Sequence, residues 1–128
     1  MADNHHLAAA REVPVRALAD EHLVLLESTP GWSIRRLVED SLDRAGVAPR
    51  EVTTVADSTT MLAFVGAGIG VGFGSLNTIA LTPRSLALVP LAEAADVPTS
   101  VVWKAANDTP ALRTVLRAVE RHLVPTAD

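Results

Sequence analysis

Leu23-Val24-Leu25-Leu26 is a run of four apolar residues with no polar residue among them, and it limits the folds open to this chain. A strand with one wet face alternates apolar and polar residues. An uninterrupted run of strand length is the pattern of a strand buried on both faces, as in a parallel sheet covered by helices. The next residues fit that requirement. Ser28-Thr29-Pro30-Gly31-Trp32-Ser33 has loop composition and ends in Ser33, a residue suited to cap a helix N-terminus. Ile34, Leu37, Val38, Leu42 and Ala45 then recur with helical spacing, and Gly46 stands where helices commonly end. Arg36 with Asp40, and Asp40 with Arg44, are spaced four apart on the opposite, wet face. Glu51-Val52-Thr53-Thr54-Val55 is rich in β-branched residues and predicts a second strand.

The alternation continues. Asp57-Ser58-Thr59-Thr60 offers several N-caps for a short helix, apolar on most sides and so expected to be buried, around Met61, Leu62, Phe64 and Val65. Gly66-Ala67-Gly68 ends it, and Ile69 to Gly74 predicts a third strand thinned by glycine. Leu86 to Val89 and Ser100 to Trp103 are expected as two more strands, and Pro14 to Ala19 as a short helical turn. Thr109-Pro110 opens a last helix with an apolar stripe of Leu112, Val115, Leu116, Val119 and Leu123. The fold class is α/β with a largely parallel central sheet.

Composition sets bounds on chemistry. The 128 residues are enough for a core of their own, and with 48% apolar but only 3% aromatic residues that core is aliphatic. There is no cysteine, which excludes disulfide scaffolds and cysteine-ligated zinc. No apolar run reaches the roughly 20 residues of a membrane span, and the N-terminus has neither a basic start nor an apolar segment of signal-peptide type. A soluble, cytoplasmic protein is expected. The net charge is -4 and the arginines are scattered, so this chain is not expected to bind DNA itself.

No catalytic constellation stands out, and the expectation is a protein that is not an enzyme, with no cofactor and no metal site. The glycines from Gly66 to Gly74 lack dinucleotide-fingerprint spacing and lead from a helix into a strand, the reverse of the required order. Close backbone packing is the better reading of them. His5-His6 is read as a pair of solvated side chains in a terminal segment; His22 and His122 complete the histidines, without helical metal spacing. What remains is two polar loops that each follow a strand and precede a helix. Ser28 to Ser33 and Asp57 to Thr60 would both lie at the carboxyl edge of a parallel sheet, where hydroxyls and free helix-terminal N–H groups suit an anion such as a carboxylate. For any single Ser or Thr among them, helix capping alone is the better reading. Trp32 is either an apolar wall for a ligand or a lid on the core.

Several segments, in order, resemble the effector-binding domain of LysR-type transcriptional regulators. His5-His6-Leu7-Ala8 is similar to an H-P-L-A entry with His6 in place of proline, and Val15-Arg16-Ala17-Leu18-Ala19 to the short helix before the second subdomain's first strand. Ala45-Gly46-Val47-Ala48-Pro49 is similar to the G-x-x-P that follows that subdomain's long helix. Val65-Gly66-Ala67-Gly68-Ile69-Gly70-Val71 is similar to V-A-A-G-L-G-I. Val101-Val102-Trp103-Lys104, with Thr109-Pro110 and the helix behind it, resembles the closing strand and helix. The resemblance spans residues 5 to 123 and departs at Ser75, where the family commonly has proline.

The resemblance implies a periplasmic-binding-protein-like (type 2) fold, of which this chain would hold the second subdomain: three layers around a mostly parallel sheet over residues 1–98, then a returning strand and helix over 99–128. It implies a small organic effector, such as a carboxylate, held by Ser28, Thr29, Pro30, Gly31, Trp32, Asp57, Ser58 and Thr59. The winged helix-turn-helix and the first subdomain have no counterpart in these residues. A stripe without its usual apolar bed invites association, so a homodimer, built or swapped through residues 99–123, is expected. The alternative is a structural or dimerisation module with no ligand of its own.

Overall fold

A computed structural model describes residues 1–27, 33–75, 82–93, 102–104, 106 and 108–123. The chain divides into two compact units, Met1–Val97 and Pro98–Asp128. The first holds a 3₁₀ helix (Val15–Asp20), then β1 (His22–Leu26), α1 (Ile34–Ala45), β2 (Glu51–Val55), α2 (Ser58–Gly66) and β3 (Val71–Gly72). The second holds α3 (Pro110–Leu123).

The apolar run becomes the middle of the sheet. The strand order is β2-β1-β3 and both pairings are parallel, His22 to Leu26 matching Glu51 to Val55, and Leu23-Val24 matching Val71-Gly72. Side chains alternate across a strand, so β1 feeds two cores. Leu23 and Leu25 pack with Val13, Val15, Leu18, Val38 and Leu42 on the face covered by the 3₁₀ helix and α1. Val24 packs with Val55, Met61 and Val65 on the face covered by α2. The result is three layers, helix–sheet–helix.

Both helices of this unit begin and end with sequence-encoded devices. The Ser33 hydroxyl accepts the Arg36 N–H, and an Asp57 carboxylate oxygen accepts the Thr60 N–H, as N-caps. At the other end, Val47 N–H bonds Leu42 C=O and Gly46 N–H bonds Asp43 C=O, with Gly46 left-handed at φ 64°. α2 repeats the same paired bonds through Ile69 to Phe64 and Gly68 to Val65, with Gly68 at φ 74°.

The structure also departs from the sequence expectations. β3 is two residues long, Val71–Gly72, because the Ile69 N–H is already used to close α2. Gly70 packs beneath the His22 carbonyl, and a Cβ there would run into that oxygen; one on Gly72 would stand 2.9 Å from Val65 Cγ2. Close packing is thus what Gly70 and Gly72 do, whereas Gly68 has open space around it and serves the left-handed turn. Leu86 to Val89 is not a strand. The chain between Ala2 and Val13 winds through turns, so its two ends offer only single bridges, Ala2 to Leu86 and Val13 to Leu91. Ser100 and Val101 lie outside the described residues, and Val102 and Trp103 are in no strand.

α2 buries only Met61 and Val65, leaving Leu62 and Phe64 half-buried. In α1, Leu37 lies off the core while Ser41 is buried in its stead, its hydroxyl donating to the Leu37 carbonyl at 2.7 Å. Arg44 donates to the Asp40 backbone carbonyl and to Ser41 rather than pairing with the Asp40 carboxylate. The Arg36–Asp40 pair forms, at 3.8 Å.

In the second unit, the Thr109 hydroxyl accepts the Leu112 N–H at the start of α3, and Arg113 makes a two-pronged pair with Asp108 at 2.8 and 2.6 Å. That pair is exposed and adds little stability. No helix among the described residues is long and apolar enough to cross a membrane.

Candidate functional site at the carboxyl edge of the sheet

The strand order fixes where a ligand would find a crevice. From β1 the chain passes along one face through α1 to β2, and then along the other face through α2 to β3 on the far side of β1. The connections leaving β1 and β2 therefore diverge to opposite faces beyond their carboxyl ends, the kind of gap where open α/β sheets bind ligands. A groove of about 280 Å³ lies there. Its walls include Leu26, Glu27, Ser33, Arg35, Met61 and Phe73, contributed by the ends of β1 and β3, the start of α1 and the body of α2. A larger depression, about 490 Å³, lies on the outer surface of α1 among Leu37, Asp40, Asp43 and Arg44. It is open to water on a single helix and far from the converging strand ends, so the smaller groove is the better candidate.

The two helix N-termini differ in electrostatics. The first turn of α1 has no acidic residue and carries Arg35 and Arg36. Arg35 is held at the rim by three bonds: Nε to Glu39 at 2.7 Å, and Nη1 to the Leu26 carbonyl at 3.2 Å and to the Thr54 hydroxyl at 3.0 Å. It ties α1 to both β1 and β2. Arg36 is largely exposed. Both guanidiniums have an acidic partner one turn on, Glu39 and Asp40, so the positive end of the helix dipole is flanked by cations and by no carboxylate within the first turn itself.

At α2 the Asp57 carboxylate occupies the helix terminus itself. Thr60 N–H and then the Thr60 hydroxyl, with a further contribution from Thr59 N–H, hold its carboxyl below the usual carboxylate range. A carboxyl depressed in the folded state contributes stability above its ordinary pKa, and that contribution fades as pH falls through the depressed value. The expected result is that wild-type thermal stability falls more steeply than that of Asp57→Asn on acidification below the ordinary carboxylate range. Parallel melting curves across that pH range would refute this by showing the same slope for both.

Of the residues expected to touch a ligand, Ser28, Thr29, Pro30, Gly31 and Trp32 lie outside the described residues. The chain they join leaves β1 through Glu27 and returns at Ser33, both on the groove. Asp57, Ser58 and Thr59 are exposed at the start of α2, just past Ala56, which also lines the groove. The anion-binding expectation does not hold equally for the two loops. A carboxylate already sits on α2, so an incoming anion would meet like charge there. Sequence periodicity does not single out Arg35; its i,i+4 spacing to Glu39 is the one available signal.

His5 and His6 are a correction. His6 is solvated as expected, 69% accessible, but His5 is not, and both imidazoles close on the buried carboxylate of Glu21, at 3.1 and 3.0 Å. Only turns bring the three together, from residues 15 and 16 positions apart, which no helical spacing announces.

A model of the LysR substrate binding domain matches residues 1–124. The chain belongs to that family. Among curated relatives of this LysR-type domain, the HTH-type transcriptional regulator XapR of Escherichia coli K12 is 25% identical over 119 residues, 93% of this chain and 40% of XapR. The HTH-type transcriptional regulator YybE of Bacillus subtilis 168 is 28% identical over 69 residues, 54% of this chain and 23% of YybE. The chain thus spans well under half the length of these relatives.

Solved structures give the same fold. The BenM effector binding domain with its effector benzoate matches at TM-score 0.63 and 22% identity, over 73% of this chain and 43% of that one. The CcmR regulatory domain of Synechocystis PCC6803 in complex with 2-PG matches at TM-score 0.63 and 19% identity, over 94% and 59%. The LysR-type domain is therefore a periplasmic-binding-protein-like α/β fold.

Proposed function

We propose that this LysR-type domain forms one wall of a small-molecule effector site in a transcriptional regulator, and that the effector is a small organic carboxylate. One observation carries the reading: the groove at the sheet's carboxyl edge is flanked by the N-terminus of α1, whose first turn has two arginines and no acidic residue, their acidic partners Glu39 and Asp40 lying one turn further on. Backbone N–H groups, helix dipole and guanidinium charge there favour an anion. Asp57 turns an anion away from α2 and Glu27 away from the end of β1, so the carboxylate sits toward the α1 terminus while Leu26, Met61 and Phe73 meet its apolar part. Benzoate, the effector in the BenM domain, has this chemistry. Ser58 and Thr59 stand exposed at the start of α2, just past Ala56 on the groove. The domain senses; DNA contacts and catalysis lie outside its role.

A groove near the lower end of the roughly 300–1,000 Å³ usual for small-ligand pockets matches a single wall, and binding by this chain alone is weak, with Kd of about 1 mM. At ten times Kd, a ligand specific for the folded state adds about 1.4 kcal/mol, a shift of several degrees in Tm. Thermal melts with benzoate and other organic acids test this. Arg36→Gln, in an exposed pair, leaves the ligand-free Tm unchanged but shrinks the benzoate shift.

The second reading, a dimerisation module, is favoured by exposed Val102, Trp103 and Val115, the first 89% accessible. No shift with any acid, together with a dimer by light scattering, would support that reading and remove the first.

A further inference from the structure

We propose that His5, His6 and Glu21 form a binding site for one zinc-class divalent transition-metal ion, which ties the N-terminal turn to the start of β1. One donor atom from each of the three lies within 4.8 Å of the others. Glu21 caps the 3₁₀ helix immediately before β1, and its side chain is only 7% exposed. Two imidazoles of unequal exposure stack over it, His5 17% and His6 69% accessible, with ring centroids 4.5 Å apart.

The state of the carboxylate points to a cation. Oε2 is hydrogen-bonded by His5 Nε2 at 3.1 Å. Oε1 is buried and has no hydrogen bond, although His6 Nε2 stands 3.0 Å away. The close approach without hydrogen-bond alignment leaves an acceptor lone pair unused inside the protein, which is costly. Among the described residues, no lysine or arginine pairs with Glu21; its ion-pair partners are these two imidazoles. A buried carboxylate calls for a compensating charge, and a divalent cation between the three side chains supplies it.

The spacing suits such an ion. Bonds of about 2.0–2.2 Å in a tetrahedron set neighbouring donors roughly 3.3 Å apart, close to the 3.1 Å between His5 Nε2 and Glu21 Oε2, while His6 Nε2 faces the other oxygen, Oε1, at 3.0 Å. The wider spread within the trio closes by movement of the exposed His6 ring. Two imidazoles and one carboxylate select zinc and its neighbours over magnesium or calcium, which prefer all-oxygen shells. Water completes the fourth position.

Coordination has one identifiable cost. His5 Nδ1 accepts the Leu7 N–H at 3.2 Å, so the Nε2 proton faces Glu21. Metal at Nε2 of a neutral imidazole requires that proton to move to Nδ1, and the Leu7 amide then loses its acceptor. Leu7 is therefore a local reporter.

The test is calorimetric titration of the whole chain with zinc chloride, with magnesium chloride as the control, alongside ¹H–¹⁵N spectra. One zinc per chain is expected, with magnesium silent and the Leu7 amide shifted. His6→Ala, on an exposed side chain that the fold does not need, weakens zinc at least tenfold, and Glu21→Gln does the same if it folds. Absence of zinc binding at millimolar concentration would overturn the site. So would wild-type affinity in His6→Ala, or zinc binding that leaves the Leu7 amide unmoved.

Discussion

Leu23→Ala lowers the unfolding free energy of this domain by about 2–5 kcal/mol, the range for large-to-small changes in a packed core. Leu23 is wholly buried in the middle of the central strand, and it joins Val13, Val15, Leu18, Val38 and Leu42 in one cluster. Those partners sit on the 3₁₀ helix, on α1 and at the isolated Val13 bridge, all packed on the same face of the sheet, leaving little slack for collapse into the void. Urea denaturation would show the midpoint falling with its slope unchanged. A loss below 1 kcal/mol would mean that the face of β1 under the 3₁₀ helix and α1 is not packed as described.

Gly70→Ala is the second large effect. The added methyl meets the His22 carbonyl oxygen, with the carbonyl carbon 3.0 Å away, and this is backbone at the first residue of the central strand. It cannot swing aside as a side chain would. Either β3 shifts away from β1 or the start of β1 moves, and overpacking of this kind costs typically 1–3 kcal/mol and more where backbone is involved. Gly46→Ala makes a useful contrast: no atom lies within 4 Å of its Cβ position, so only the left-handed backbone is penalised, by about 1–2 kcal/mol. A Gly70→Ala variant as stable as wild type would contradict the close pairing of β3 with β1.

Much of the frame is legible in the residues because local chemistry and the global fold agree there. The run Leu23 to Leu26 reads as a doubly covered strand and is one. Ser33 and Gly46 bound α1 at the expected places, and Glu51 to Val55 is β2 residue for residue. The failures arise where a distant partner decides the outcome. Leu86 to Val89 has strand composition, but its partner chain turns away after one residue. Ile69 has a strand former's side chain, yet its N–H is taken by the end of α2.

The site is legible in outline and less so in charge. Two strand–loop–helix junctions identify the carboxyl edge, and the groove lies there. That Asp57 fills its own helix terminus follows from capping chemistry, and it separates two loops that composition makes look alike. Arg35 acquires its place only from the carbonyl and hydroxyl of strands that fold beneath it. The His5–His6–Glu21 cluster depends on turns that no periodicity reports.

A ¹H–¹⁵N titration with benzoate tests most directly whether the carboxyl edge of β1 and β3 is the effector wall. Saturable shifts are expected at the amides of Leu26, Glu27, Ile34, Arg35 and Phe73, weakened in Arg36→Gln. Shifts confined to the outer face of α1 around Leu37, Asp40 and Asp43, or to α3, would contradict that assignment.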